Sequence, residues 1–355
     1  MHSNSVPSHK RLESVVQSQF CPTWDVTACS SGTAALHLAL ESLLCGRTKS
    51  AVGLTCDYNM VAVPRAMVMA DLEPAFIDCD HVGLMDTWTV NSEGKSKLTQ
   101  MVDDCMKSRR WVGAIVVTHL FGRSVNMNKV HHDVQALREQ YNRDIVVVED
   151  MAQLHGVAPD ERSNAACWSF YKNKVYHGEE GGAVAFPARE KSAYETSQSL
   201  RSLGNLVQDG MNTYYHQARG HNYRLADCLA DKILESLDGK PFSHRRVQEN
   251  LYDELLKPRI PDCIQPKRIS PWMYDLRLRA IFPMRRIEAV RRMNAEGIEA
   301  RLGFKPMSVQ PEFQGLHSVN EKAHRLGGEV ILLPMGEKVY DSTIERAVEI
   351  LLESR

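Results

Sequence analysis

Ile145-Val-Val-Val-Glu149-Asp150 is a run of four β-branched residues that stops at two carboxylates. A short, unbroken apolar run of this kind suits a strand buried on both faces. Upstream, Met127 to Tyr141 has helical spacing, with Val130, Val134 and Leu137 on one face. Before that helix, Val112-Gly-Ala-Ile-Val-Val-Thr118 reads as another buried strand. Strand, helix and strand in this order predict a parallel pair joined by a crossover. Further out, Pro74-Ala-Phe-Ile-Asp78 and Asp25-Val-Thr-Ala-Cys29 add two more strands. The second of these leads through Ser30-Ser31-Gly32-Thr33 into an apolar helix, Ala34 to Cys45, ended by Gly46. The pattern predicts an α/β fold, a mostly parallel sheet with helices on both faces.

The character changes after Glu190. A helix is expected over Leu225 to Leu237, then a polar break at Gly239-Lys240-Pro241, then a smaller α+β unit with a strand at Met273 to Phe282. This predicts a large domain over 1–238 and a small C-terminal domain over 239–355.

Composition narrows the function classes. The chain has 355 residues, with Lys plus Arg 43 against Asp plus Glu 44, for a net charge of −1. Nucleic-acid binding as a main role needs a positive surface, so it is not expected. No apolar run approaches the roughly twenty residues a membrane span requires, and MHSNSVPSHKRLE has no secretory core. The nine cysteines form no CxxC pair and no zinc-finger spacing. Mostly structural thiols, a reducing cytoplasmic setting and no metal site are the expectation. His131-His132 reads as a solvated helix surface, and Met67 and Met69 read as core.

Three segments can carry chemistry. Ser30-Ser31-Gly32-Thr33-Ala34-Ala35 leaves a strand and opens a helix, where exposed N–H groups and the positive helix end attract an anion. The same residues also make an ordinary N-cap. Asp150, with Gln153 and His155 beyond, stands at the C-terminal end of a parallel strand, where open α/β sheets bind ligands; it too can be a plain helix cap. Ser169-Phe-Tyr-Lys172-Asn-Lys174 precedes Gly181-Gly182 and an apolar strand. A desolvated lysine there becomes a nucleophilic amine, whereas a solvated one is a basic turn. No strand is followed by GxGxxG, so a nicotinamide-linked reductase finds no support.

Taken in order, these segments resemble the DegT/StrS family of pyridoxal phosphate (PLP)-dependent sugar aminotransferases, which are fold-type-I enzymes. Ser30-Ser-Gly-Thr-Ala-Ala-Leu-His-Leu-Ala-Leu40 is similar to the family's phosphate-binding segment. His119-Leu-Phe-Gly122 and Glu149-Asp-Met-Ala-Gln-Leu-His-Gly156 resemble its HLYG and EDAAQAHG elements. Gly220-His-Asn222-Tyr-Arg224 resembles its GxNxR motif. Pro271-Trp-Met-Tyr274 and Phe304-Lys-Pro-Met-Ser-Val-Gln310-Pro311 are similar to C-terminal elements of perosamine synthase-like members. The resemblance implies that Lys174 binds PLP covalently and carries the reacting proton. It implies that Asp150 keeps the pyridine nitrogen protonated and that Gln153 lies near the phenolic oxygen. Gly32, Thr33 and Ser169 would bind the phosphate, and Asn222 would reach it from the neighbouring subunit of a homodimer. In an extended segment Lys172 and Lys174 share a face; the intervals from Ser169 and to Gly181-Gly182 favour Lys174.

Some positions depart from the family pattern. Met60 stands where an aromatic ring commonly stacks on PLP, with Tyr58 as the alternative stacker. Ser308 replaces a family histidine two residues before Gln310. Most of the family segment preceding the match to Lys10–Phe20 has no counterpart, so a shortened N-terminus is expected. Arg201, Arg219 and Arg277 are weak candidates for substrate contacts. The resemblance implies amino transfer, with glutamate as donor, to a nucleotide-linked 4-keto-6-deoxy sugar. Related sugar dehydratases carry His in place of the lysine, and a non-catalytic member that only binds PLP or a sugar nucleotide is the other alternative.

Overall fold

Val146 and Val148 face one helical layer while Val147 faces the other, as the two-residue period of a strand buried on both sides requires. In the computed structural model, which describes residues 6–45, 51–208, 211–216, 218–278, 285–314 and 320–354, that strand lies at the centre of a seven-stranded sheet. Its members are β1 (Trp24–Cys29), β2 (Ala51–Cys56), β3 (Leu72–Ile77), β4 (Trp111–Thr118), β5 (Val146–Asp150), β6 (Ala165–Ser169) and β7 (Gly182–Pro187), in the order β1-β7-β6-β5-β4-β2-β3. Strand pairs β2–β3, β2–β4, β4–β5 and β5–β6 are parallel, while β7 runs antiparallel to both neighbours. The apolar strand expected after Gly181-Gly182 is β7, whereas β2 and β6 were not read from the sequence. Alanine, glycine, cysteine and serine dilute their β-branched signal, although every residue in them is buried.

Helices α1 (Ser8–Phe20), α2 (Gly32–Leu44), α3 (Ala62–Met69), α4 (Lys97–Lys107), α5 (Met127–Tyr141), α6 (Lys191–Arg201) and α7 (Asp227–Asp238) cover the sheet. The valine-rich centre of the sheet, with Leu98 and Val102 of α4 and Val130, Val134 and Leu137 of α5, forms one core. Leu36, Leu38, Ala39 and Leu40 of α2 form another on the opposite face, with α3 and α6. An α2 that is apolar nearly all round lies deep between layers. Its first turn is capped by Ser31, whose Oγ accepts from the Ala34 N–H at 3.1 Å. Its end is Leu44, with Cys45 left-handed beyond it; Gly46, the expected stop, lies outside the described residues.

A two-stranded hairpin, β8 (Asn205–Gln208) and β9 (Met211–His216), follows α6. After α7 the chain breaks at Gly239 and enters α8 (Pro241–Leu256), where the expected division at 238/239 falls. The C-terminal part contains β10 (Tyr274–Arg277), α9 (Arg285–Ala295), β11 (Arg301–Leu302), α10 (Glu321–Glu329), β12 (Val330–Leu333) and α11 (Asp341–Glu353). Its sheet is antiparallel, ordered β10-β12-β11, and shares a core with α8, α9 and α11. The expected strand at 273–282 is therefore shorter, and 279–282 lie outside the described residues. Met69 is exposed, unlike Met67, because it faces away from the sheet at the end of α3. His131 is buried against Ser163 at 3.1 Å rather than solvated; His132 alone of the pair faces water.

Candidate active site

Strands β1, β2, β4, β5 and β6 run in one direction, so their C-terminal ends meet at one edge of the sheet, the edge where open α/β sheets bind ligands. Asp150 ends β5. Burial pushes its carboxyl up, while the Ala152 N–H (3.0 Å), the Lys174 charge and the Thr118 hydroxyl (3.4 Å) favour the ionised form. Glu149, the adjacent carboxylate, points to the other face and is fully engaged. It accepts from His119 Nε2 at 2.8 Å and from the Asp160 N–H at 2.8 Å. His119 Nδ1 accepts from the Val125 N–H at 3.1 Å, which assigns the proton to Nε2. The period-two alternation thus separates a structural carboxylate from one left for chemistry.

Lys174 follows β6 in an irregular turn and is buried, whereas Lys172 is exposed beside the Tyr171 ring. The segment is not extended, so the two lysines do not share a face. Burial lowers the Lys174 amine to about 8; Asp150 opposes the shift and Arg301, on β11, adds to it. Its Nζ lies 4.4 Å from the centre of the Trp272 ring. The indole N–H of Trp272 donates to the Asn173 carbonyl at 2.6 Å, tying the C-terminal part to the lysine turn.

His119-Leu-Phe-Gly122 makes that approach possible. Phe121 and Gly122 both have positive φ, 52° and 74°, and a Cβ on Gly122 would lie 1.7 Å from the Ser270 carbonyl oxygen. The Gly122 carbonyl accepts from the Ile269 and Ser270 N–H groups, at 2.8 and 3.0 Å, just before Trp272. Phe121 stacks on Trp272 at 6.3 Å and on Phe304 at 5.7 Å. Gln153 Oε1 accepts from the Phe121 N–H at 2.8 Å, so its carbonyl end holds this turn.

The turn after β1 forms the third element. The N–H groups of Gly32 and Thr33 sit in the first turn of α2, where no helix carbonyl precedes them. A Cβ on Gly32 would lie 2.6 Å from Ser169 Cβ and 3.1 Å from its Oγ, so glycine keeps the hydroxyl of β6 and the helix end in contact. Ser31, by contrast, spends its hydroxyl on the cap. Asn222 is exposed. It lines a hollow of about 460 Å³ with His9, Arg201, Arg224 and Asp227, and Lys174 does not line that hollow.

Met60 is 45% exposed and is the one of the two stacking candidates open to a ligand; Tyr58 is core, edge-on to Phe121 and Phe304. Ser308 binds the buried Asp57 through its N–H and its Oγ, both at 2.7 Å. Arg201 is held by Glu13 and the Ala28 carbonyl, and Arg277 by Glu329 and the His81 carbonyl. All three are structural. Residues missed by the sequence reading are Trp272, Arg301, Thr118 and Asn59. Asn59 Nδ2 donates to Thr118 Oγ1 at 2.9 Å, extending the chain that ends on Asp150. Thr118 had a readable signal, the last position of a parallel strand just before His119-Leu-Phe-Gly122; Trp272 had one too, in the Pro271-Trp-Met-Tyr274 element, though nothing in it gave the contact with the lysine turn, and Arg301 had none, since it arrives from far along the chain.

A buried amine, a buried carboxyl near enough to influence its charge, and a glycine-serine cradle at a helix start together fit PLP. The fold and this arrangement define a fold-type-I PLP-dependent transferase. A sequence profile of the DegT/DnrJ/EryC1/StrS aminotransferase family matches residues 3–352. The chain is 24% identical to GDP-perosamine synthase of Caulobacter vibrioides, over 94% of this chain and 86% of that protein. It is 24% identical to dTDP-4-amino-4,6-dideoxy-D-glucose transaminase of Shigella dysenteriae, over 99% and 91%. In fold it is similar to Helicobacter pylori PseC, an aminotransferase involved in the biosynthesis of pseudoaminic acid, with a TM-score of 0.82, 18% identity, and coverage of 99% and 91%. The chain belongs to the DegT/DnrJ/EryC1/StrS aminotransferase family. It is a PLP-dependent aminotransferase.

Proposed function

We propose that the chain transfers an amino group from glutamate to a nucleotide-linked keto-sugar of the 4-keto-6-deoxy type, as a cytoplasmic homodimer. The observation that carries this reading is the buried Lys174 amine, lowered to about 8, beside a buried Asp150. Two relatives whose names specify nucleotide-linked amino sugars, matched along nearly their full length, support the substrate class. Among the described residues no helix is long and apolar enough to cross a membrane.

In this reading Lys174 would hold the cofactor through its amine and would be the group that moves the proton at the reacting carbon. PLP supplies an electron sink when bound. Asp150 holds a proton at the pyridine nitrogen, and Thr118 and Asn59 keep its carboxyl aimed. Gly32, Thr33 and Ser169 bind the phosphate, and Asn222 completes that site from the partner subunit. Met60 lies against the ring face. Gln153, its carbonyl engaged by Phe121, offers its amide N–H to the phenolic oxygen. Trp272 closes the lysine side against water, which keeps the amine partly unprotonated at neutral pH.

The test is spectroscopic and chemical. Glutamate bleaches the visible absorption of the purified protein, a keto acid restores it, and a GDP- or dTDP-linked 4-keto-6-deoxy sugar gains an amino group by mass spectrometry. Absorption unmoved by any amino acid defeats the aminotransferase role assigned to Lys174. Bleaching without amination of either sugar defeats the substrate assignment alone.

A further inference from the structure

A second group of titratable side chains lies on α2, away from the lysine. His37 and Glu41 stand one turn apart on the helix, and His221 faces them from the segment after β9. His37 Nε2 is 3.4 Å from Glu41 Oε2, and His221 Nε2 is 2.7 Å from the same oxygen. All three ligand atoms lie within 4.8 Å of one another. His37 is 3% exposed, and its Nε2 has no hydrogen-bond partner. Its Nδ1 lies 3.1 Å from the Tyr223 hydroxyl. Where Nδ1–H donates to that oxygen, the Nε2 lone pair faces a carboxylate oxygen, two acceptors directed at each other; where the Tyr223 hydroxyl donates to Nδ1 instead, Nε2–H faces the carboxylate without forming a hydrogen bond. Protonating His37 would relieve this, and Glu41 favours it, but burial, with His221 beside it, outweighs that and disfavours the imidazolium. A bound cation relieves it without a proton.

We propose that His37, Glu41 and His221 form a divalent transition-metal site, with Zn²⁺ as the occupant. Two imidazoles and one carboxylate are a common zinc donor set, and bond lengths of about 2.0–2.2 Å place tetrahedral ligands roughly 3.4 Å apart. The His37–Glu41 pair already has that spacing. The His221–Glu41 pair opens by a side-chain movement, since both are only half-buried. The fourth position is left to water. Tyr223 plays the outer part, fixing the His37 ring and its tautomer.

The ion would tie residues 221–223 to α2, the helix whose first turn is Gly32-Thr33. The Tyr223 carbonyl already accepts from the Ser30 N–H at 2.8 Å, so the two segments are joined at one end and the ion joins them at the other. Asn222 sits between. The metal site does not depend on the proposed function; its influence on cofactor retention through Asn222 does.

The probe is Zn²⁺ alone, added to untagged, PLP-loaded protein and followed by competition with a zinc-sensitive dye and by metal counting after desalting. One Zn²⁺ per chain is expected. His221→Gln and Glu41→Gln each weaken binding at least tenfold, while both variants still take up PLP when it is supplied in excess, which shows that they fold. His132→Gln, on an exposed histidine, binds as the parent does. Zinc-edge anomalous scattering from soaked crystals places the ion among the three residues. Absence of stoichiometric binding by the parent protein overturns the site whatever the variants do. Equal binding by the parent, His221→Gln and Glu41→Gln means that the zinc sits elsewhere, and overturns it too. If the ion binds as expected but PLP retention is the same with and without Zn²⁺, the site stands and the coupling through Asn222 falls.

Discussion

Lys174 Nζ lies 4.4 Å from the centre of the Trp272 ring, and the indole N–H of that tryptophan is bonded to Asn173, the residue preceding the lysine. One side chain from the C-terminal part therefore shields the amine and fixes the turn that carries it. Trp272→Phe keeps the stack on Phe121 but loses the tether, and should lower unfolding free energy by about 1 kcal/mol in denaturant titration. Trp272→Ala should lower it by ~3–5 kcal/mol. An alanine variant as stable as the parent would mean that the contact contributes nothing.

The two lysines separate cleanly in one experiment. After borohydride reduction of the loaded protein, mass spectrometry should find the cofactor on the peptide containing Lys174. Lys174→Ala should show no covalent cofactor, and Lys172→Ala should show the parent amount, because Lys172 stands in solvent. The reverse pattern would reassign the amine.

The pH dependence follows from the lowered amine. Below about 8 Lys174 is mostly protonated and unreactive; above it the free amine predominates. The rate of covalent PLP uptake by cofactor-stripped protein should rise with pH and level off above about 8. In Asp150→Asn the midpoint should fall, because the Asp150 charge is what raises that pKa against burial. A rate flat through this range would show that Lys174 is not the titrating group.

Thr118 is bonded to both Asn59 and Asp150. Thr118→Val retains the shape but removes one of the two acceptors of Asn59 Nδ2, the other being Thr55 Oγ1 at 3.1 Å, and should reduce stability by about 1 kcal/mol. Turnover should fall with little change in the KM for the amino donor, since Asp150 is misaimed rather than removed. Asp150→Asn should lower kcat on the order of 100-fold or more, the usual scale for losing one electrostatic stabiliser. A larger loss in Thr118→Val than in Asp150→Asn would contradict this order.

Ser308 anchors the C-terminal part to the exit of β2 through two bonds to Asp57, which also accepts from Asn320 at 3.0 Å. Ser308→Ala removes the hydroxyl bond only, and about 1–3 kcal/mol of stability should be lost with it. Because Ser308 is spent on Asp57, Ser308→Ala should leave selectivity between GDP- and dTDP-linked sugars unchanged. A shift in selectivity on Ser308→Ala would return Ser308 to the substrate site.

Much of the large domain was legible because its chemistry is local. A β-branched run ending in Glu149-Asp150 announces both a buried strand and a carboxylate at its end. Ser31-Gly32-Thr33 announces a capped helix start, and Ser31 does serve as that cap. The strands without a clear signal, β2 and β6, are rich in Ala, Gly and Cys, residues that fill tight space between helical layers without marking a period. Met69 and His131 differ from their expected environments because one residue of rotation about a helix decides burial: Met69 ends α3 facing out, and His131 turns inward where His132 turns out.

What the sequence determined by itself was the order of strands and helices, the carboxylate at the end of β5 and the lysine-bearing turn, since hydrophobic period and turn chemistry act over a few neighbours. Tertiary structure decided which lysine is buried, which carboxylate is already engaged by His119, and that Trp272 shields the amine. It also decided that His221 meets His37 and Glu41, the latter 180 positions earlier in the chain. Burial and pairing arise where distant segments exclude water together, and that exclusion sets which proton each group holds.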